Sequence, residues 1–185
     1  MFNMLSLILL ASTLALAQTP SDIARLKIEA GHGNTVSQFW LGVAYESGKG
    51  VQQDYKEALR WLAKSAKQGN ADAQNMIGVM FEDGEGVPIN YARAAKWYRA
   101  ACENRPDRGG AGQGCNNLGL LYLDGHGVTQ SRVEAYKYFK LCSCSSNLAA
   151  VKSDMTTAEI AEAKNKPPSG SRPIPANDLL PRRDK

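Results

Sequence analysis

From residue 35 onward the chain carries one apolar rhythm written three times. In residues 35–66, TVSQFWLGVAYESGKGVQQDYKEALRWLAKSA, the positions Ser37, Leu41 and Tyr45 recur at spacings of four, which is one side of a helix with 3.6 residues per turn. Residues 71–102 repeat the pattern with Ala73, Ile77 and Phe81, and residues 112–143 repeat it with Gly114, Leu118 and Tyr122. A second apolar face follows in each copy: Ala58, Trp61 and Leu62 at i, i+3, i+4, then Ala94, Trp97 and Tyr98, then Ala135 and Tyr138 in the same register. The copies are offset by 36 and then 41 residues, and the extra five fall in a Gly-, Pro- and charge-rich linker at 103–110, where insertion is tolerated. Each copy therefore predicts two helices.

The residues between the two helices say how they are joined. Gly48/Gly50, Gly84/Gly86 and Gly125/Gly127 correspond, each pair followed by Val51, Val87 or Val128. Glycine takes the left-handed conformation that closes a helix, so G-x-G-V predicts a compact corner with a buried Val. Asp54, Asn90 and Ser131 then stand as caps for the second helix. A further glycine sits inside the first helix of every copy, at Gly42, Gly78 and Gly119. Glycine there costs about 1 kcal/mol relative to Ala. Its recurrence predicts close approach of the second helix, with Trp61, Trp97 and Tyr138 packing over the junction.

Helix pairs of this kind bury their faces only by stacking on one another. The expected fold is all-α, a right-handed α/α solenoid, with repeats at 34–69, 70–110 and 111–146. A leading capping helix is expected in 18–33, centred on residues 21–30. A closing one is expected in 147–166, where Thr156-Thr157-Ala158-Glu159 is a capping-box pattern. Residues 167–185, PPSGSRPIPANDLLPRRDK, read as a disordered tail. The first seventeen residues, MFNMLSLILLASTLALA, have no charged side chain, a short apolar run and a small-x-small end at Ala15-Leu16-Ala17. They read as an export signal cut after Ala17, giving a periplasmic or secreted protein with no other membrane-length run.

The pattern A-x-x-x-L-G-x-x-Y-x-x-G-x-G-V followed by A-x-x-W-Y resembles the Sel-1-like repeat, a relative of the tetratricopeptide repeats; AQNMIGVMFEDGEGV with AAKWYRAA is its nearest copy. Ser37, Gly114 and the pair Tyr138-Phe139 are mild departures. The run from Ala101-Cys102 to Gly114-Cys115-Asn116-Asn117-Leu118-Gly119 is similar to the cysteine-rich secreted branch of that family. That likeness implies a disulfide between Cys102 and Cys115. Such a bridge across the linker would stabilise by roughly 3 kcal/mol in the chain-entropy model. Cys142 and Cys144 are too close in sequence to pair comfortably with each other. A bridge between Cys115 and Cys142, an intermolecular disulfide or redox contact, and two partly buried thiols all stay open for them.

Composition changes the picture little. Twenty-two Lys and Arg against 18 Asp and Glu give a net charge of +4, spread along the chain rather than gathered into the stripe a nucleic-acid binder uses. No catalytic constellation, cofactor motif or metal-ligand spacing is present. His32 and His126 stand in loop positions, and Glu46, Glu82, Asp83 and Asp124 read as solvated turn residues. The function expected is that of a protein–protein interaction module or adaptor. It would bind a protein or peptide partner on a concave face lined by the first helices, with Phe39, Asn75 and Asn116 as candidate contacts. The alternative, which rests on the resemblance alone, is a β-lactamase-like or penicillin-binding enzyme.

Overall fold

A computed structural model describes residues 20–104 and 109–169 of the chain. Among these residues the chain forms nine α-helices and no strands: α1 Pro20–Gly31, α2 Thr35–Ser47, α3 Tyr55–Lys67, α4 Ala71–Asp83, α5 Tyr91–Glu103, α6 Gly109–Asp124, α7 Arg132–Leu141, α8 Ser145–Ser153 and α9 Thr157–Asn165. The pairs α2/α3, α4/α5 and α6/α7 are the three repeats. The export signal read at 1–17 and residues 170–185 of the tail lie outside the described residues.

Local sequence explains where the helices start and stop. Asn34 and Asn70 cap α2 and α4 by accepting from the Ser37 and Ala73 amides. Asp54, Asn90 and Ser131 do the same for α3, α5 and α7. These bonds satisfy N–H groups that a helix start leaves unpaired. Gly48, Gly84 and Gly125 follow the last residues of α2, α4 and α6 in the left-handed region, at φ 70°, 79° and 75°.

The second glycine of each corner repeats that conformation: Gly50 at φ 74°, Gly86 at φ 70° and Gly127 at φ 68°. The corners are more open than the pattern suggested. Gly50, Gly86 and Gly127 are all exposed, and Val51, Val87 and Val128 are half-buried instead of fully buried. These second glycines define the repeat through their backbone conformation and not through burial. Two of them also lie against a neighbouring repeat. A Cβ on Gly86 would stand 2.5 Å from the Cβ of Tyr55, the first residue of α3, and one on Gly127 would run into the backbone of Tyr91 and Ala92 at the start of α5. In the second and third repeats, therefore, the corner rests on the start of the second helix of the repeat before it.

The glycines inside the first helices mark the closest packing within each pair. A Cβ on Gly42 would meet Leu62 Cγ at 2.6 Å, one on Gly78 would meet Tyr98 Cδ1 at 2.5 Å, and one on Gly119 would meet Phe139 Cε1 at 2.5 Å. The close approach is as expected, but its partner is not. The residues over the junction are Leu62, Tyr98 and Phe139, one position beyond Trp61, Trp97 and Tyr138. One residue turns a helix by about 100°, so the neighbour in sequence faces a different surface.

A third set of contacts fastens each repeat to its predecessor. Gln38 donates its side-chain N–H to the Ala30 carbonyl at 3.1 Å, and Gln74 donates to the Ala66 carbonyl at 3.1 Å. Both bonds are buried, and both reach the last turn of the preceding helix, where carbonyls lack helical partners. The equivalent position in the third repeat is Cys115, and the residue equivalent to Ala66 is Cys102. There the tie is covalent: Cys102 and Cys115 form a disulfide with Cα atoms 4.6 Å apart. Gly114 accounts for itself at this point. A Cβ on it would lie 2.7 Å from Ala101 Cβ and 2.8 Å from the Tyr98 carbonyl, so α6 could not come close enough to α5 for the bridge.

Three further expectations need correction. Gly109 and Gly110 belong to α6 and not to the linker, because the Asp72 carboxylate accepts from the Gly110 amide at 2.7 Å and holds that turn in place. The closing segment is two helices, not one, since α8 precedes the capping-boxed α9. Its sequence SSNLAAVKS buries only Val151 and has no side-chain cap, so it leaves little periodic signal. Cys142 and Cys144 are joined to each other. Cys142 ends α7, Cys144 precedes α8, and Ser143 between them takes φ 53°, a turn that brings the two Cα atoms to 5.2 Å. Neither is a free thiol, and neither pairs with Cys115.

Replacing Gly78 with Val should destabilise the protein by about 3 kcal/mol through overpacking against the buried Tyr98 ring. Urea unfolding followed by circular dichroism measures this; a midpoint equal to that of the parent would disprove the contact.

Candidate functional site

The first helix of each repeat uses one stripe for the core, and a second stripe runs out of phase with it, most exposed on α2. On α2 the core stripe is Ser37, Leu41 and Ala44, all buried. Rotated from it runs a second apolar stripe, Val36, Trp40 and Val43, at i, i+4, i+7. Val36 is 58% exposed and Trp40 44% exposed, with Phe39 edge-on to the indole at 5.1 Å. On α4 the matching positions are Asp72, Met76 and Val79, and on α6 they are Gln113, Asn117 and Leu120, the last 38% exposed. The stripe therefore grades from apolar in the first repeat to polar in the third.

The three contacts read from the sequence sit beside this stripe in different ways. Phe39 is half-buried against Trp40. Asn75 is buried and ties α4 to α6: it donates to Gln113 Oε1 at 3.2 Å and accepts from Asn117 Nδ2 at 3.1 Å. Asn116 is half-buried and accepts from Asn147 of α8 at 2.6 Å. Both amides are thus occupied in joining helices. The exposed stripe residues Val36, Trp40 and Leu120 were not singled out from the sequence, nor was half-buried Val43; Met76 and Val79, at the matching positions of α4, are half-buried against the core. The signal for them was present: large apolar side chains at helical spacing, out of phase with the core stripe.

Polar groups near the first-helix ends divide into committed and open. Glu82 accepts from the Tyr98 hydroxyl at 2.5 Å. Burial, reinforced by that bond to a carboxylate, pushes the Tyr98 phenol well above the ordinary tyrosine range. Burial likewise pushes Tyr138 up to about 12, although the Arg99 guanidinium opposes the shift. Glu85 is raised by burial and by the neighbouring Glu46 and Asp83 carboxylates. His32 and His126 are exposed, and His126 stacks on Tyr91 with centroids 4.8 Å apart. No group of three metal-ligating side chains occurs among the described residues.

These tyrosines give the stability a defined alkaline limit. Each is protonated in the fold well above the pH near 10 at which it ionises in an unfolded chain. The native state therefore binds more protons than the unfolded state above that pH, and stability falls as pH rises. The contribution of Tyr138 is complete below about pH 10 and is lost as pH passes through about 12. Thermal melts across this window should show the loss, and Tyr138→Phe should remove part of it; a flat profile contradicts the burial of these hydroxyls.

The Sel1 repeat model matches residues 35–70, 71–105 and 112–143, the three helix pairs described above. A crystal structure of c5321, described as a protective antigen of uropathogenic Escherichia coli with an SLR fold, is similar at 33% identity and a TM-score of 0.61; the likeness covers 65% of this chain and 25% of that one. A Sel1 repeat protein from Oxalobacter formigenes is similar at 30% identity and a TM-score of 0.61, over 67% of this chain and 49% of that one. The chain thus spans about a quarter and about half of these two relatives. A search of curated proteins found no match. With three consecutive copies matched over more than half of its length, on the solenoid that its solved relatives share, the chain belongs to the Sel1 repeat family.

Proposed function

We propose that this protein is an exported adaptor that captures a partner protein on the face built from its first helices. Sel1 repeat solenoids are protein-interaction modules. The observation that carries the reading is Trp40: an indole left 44% exposed beside Phe39, Val36 and Val43. Aromatic side chains of this kind are the usual anchors of an interface, because they bury a large area at low entropic cost. Met76, Val79 and Leu120 extend the stripe across the other repeats, and Asn75 and Asn116 border it. The spacing i, i+4, i+7 on one helix suits the apolar side of a partner helix laid against it.

Two features support export. Residues 1–17 have the composition of a cleaved signal, and all four cysteines are disulfide-bonded, the state that persists in oxidising compartments. No helix among the described residues is long and apolar enough to cross a membrane.

A photo-crosslinking residue placed at position 40 in the native host should trap one discrete partner, while the same group at exposed Lys152 should not. Trp40→Ala should reduce partner recovery at least tenfold and leave the melting temperature unchanged. Equal crosslinking at both positions, or recovery indifferent to Trp40→Ala, sinks the reading. Intact mass of the exported protein should begin at Gln18 with no alkylatable thiol; a mass that retains residues 1–17 argues against cleavage.

A further inference from the structure

The backbone corner that ends α7 occurs at two other helix ends, and only here is it built from cysteines. Between α1 and α2 its residues are His32-Gly33-Asn34, between α3 and α4 Gln68-Gly69-Asn70, and between α7 and α8 Cys142-Ser143-Cys144. The middle residue is left-handed each time, at φ 92°, 85° and 53°. The main-chain bonds match as well. The middle residue donates to the Ala30, Ala66 or Lys140 carbonyl, and the residue after it donates to the Glu29, Ser65 or Phe139 carbonyl. This is the paired bonding of a Schellman helix end, whose left-handed position suits glycine.

The first two copies close without a disulfide, so the corner does not need one. The cysteine copy also lacks what favours the other two. Glycine gives way to Ser143, which carries a Cβ into the left-handed region. Asn34 and Asn70 cap the helices that follow, each accepting from a first-turn amide at 2.8 Å. Cys144 makes no such bond, and α8 starts without a side-chain cap. A bridge between residues two apart in sequence constrains the unfolded chain little. Two favourable local choices are thus given up for a bond that adds little stability.

The surroundings of this bond suit thiol exchange. Cys142 and Cys144 are half-buried and Ser143 between them is exposed, whereas Cys102 and Cys115 are 2% and 0% exposed. A sulfur must be accessible before another thiolate can attack it. The uncapped first turn of α8 favours negative charge at Cys144, and a stabilised thiolate leaves faster.

We propose that Cys142–Cys144 is a redox site that exchanges its disulfide with a reduced cysteine pair of another protein. A thiolate of that pair attacks Cys142 Sγ; a bond forms between the two sulfurs, the Cys142–Cys144 bond breaks, and its electron pair stays on Cys144. The second thiolate of the pair then attacks the first, the substrate's own disulfide forms, and Cys142 leaves. The substrate dithiol loses two electrons and two protons, and Cys142 and Cys144 take them up as thiols. A small-molecule disulfide of the glutathione class restores the bridge by the same exchanges in the opposite direction. The site is separate from the Trp40 stripe and does not rest on it.

The test uses the full exported chain. It is equilibrated in glutathione buffers of increasing reducing strength, quenched with acid and alkylated, and each cysteine pair is read by peptide mass mapping. Cys142 and Cys144 should become alkylatable at a reduced glutathione concentration at least tenfold below that needed for Cys102 and Cys115, with the circular dichroism spectrum unchanged. Mixed with an equimolar synthetic peptide carrying two reduced cysteines, the protein should oxidise it at least tenfold faster than the variant Cys142→Gln/Ser143→Gly/Cys144→Asn. That variant writes the corner between α3 and α4 into this place and should melt as high as the parent. The redox site is refuted if the two bridges open together, if the variant oxidises the peptide as fast as the parent, or if the variant melts well below the parent, which would make the bridge structural.

Discussion

The close approach of each first helix to its own second helix, at Gly42, Gly78 and Gly119, sets the geometry on which the array is built. A glycine inside a helix costs about 1 kcal/mol relative to Ala. In each pair that cost is offset by the side chain that fills the space: Leu62, Tyr98 and Phe139 are all fully or almost fully buried. Burying a side chain of this size contributes about 2–3 kcal/mol. The exchange is favourable three times over and repeats in register. As one pair stacks on the next, Gly86 and Gly127 come onto the first turns of α3 and α5.

Stacking then needs a tie along the array, and the chain supplies one at a single structural position with two chemistries. Gln38 and Gln74 each reach a carbonyl in the last turn of the preceding helix. Cys115 occupies that position in the third repeat and replaces the hydrogen bond with a disulfide. The substitution coincides with the longest connection between repeats. Where residues 104–108 lengthen the path from α5 to α6, loop closure costs more, and a covalent link constrains the unfolded chain as well as the folded one. Disulfides of this kind persist in oxidising compartments.

The repeat itself was legible in the sequence because it rests on periodicity and on glycines whose conformational requirements are strict. Helix pairs, caps and corners all followed from local rules, and the G-x-G corners take the left-handed backbone that glycine permits. How deeply a corner is buried was not legible, since Gly50, Gly86 and Gly127 keep the required φ while remaining exposed. Matters set by rotation about a helix axis were also less legible. Tyr98 rather than Trp97 meets Gly78, and Trp40 rather than Asn75 faces outward, because one residue changes the facing surface by about 100°. The pairing of Cys142 with Cys144 was hidden for a different reason. It depends on Ser143 adopting a left-handed conformation, which no composition rule assigns to serine. Helix α8 was hidden because it buries one side chain and has no cap.

The third repeat collects nearly all the departures from the pattern, and its place at the end of the array explains them together. Gly114 in place of a small side chain admits the disulfide. Asn116 holds Asn147 and so seats α8, a helix with no counterpart after the other repeats. Tyr138 replaces an indole with a hydroxyl that has a carbonyl to meet. Lys137 and Glu134 keep a charge pair that the first repeat leaves in solvent, and here the pair is buried with the Ser169 amide on its carboxylate. An array that stopped after α7 would present an apolar face and a buried charge pair to water. The chain avoids this by covering the last repeat with two short helices and then with its own backbone.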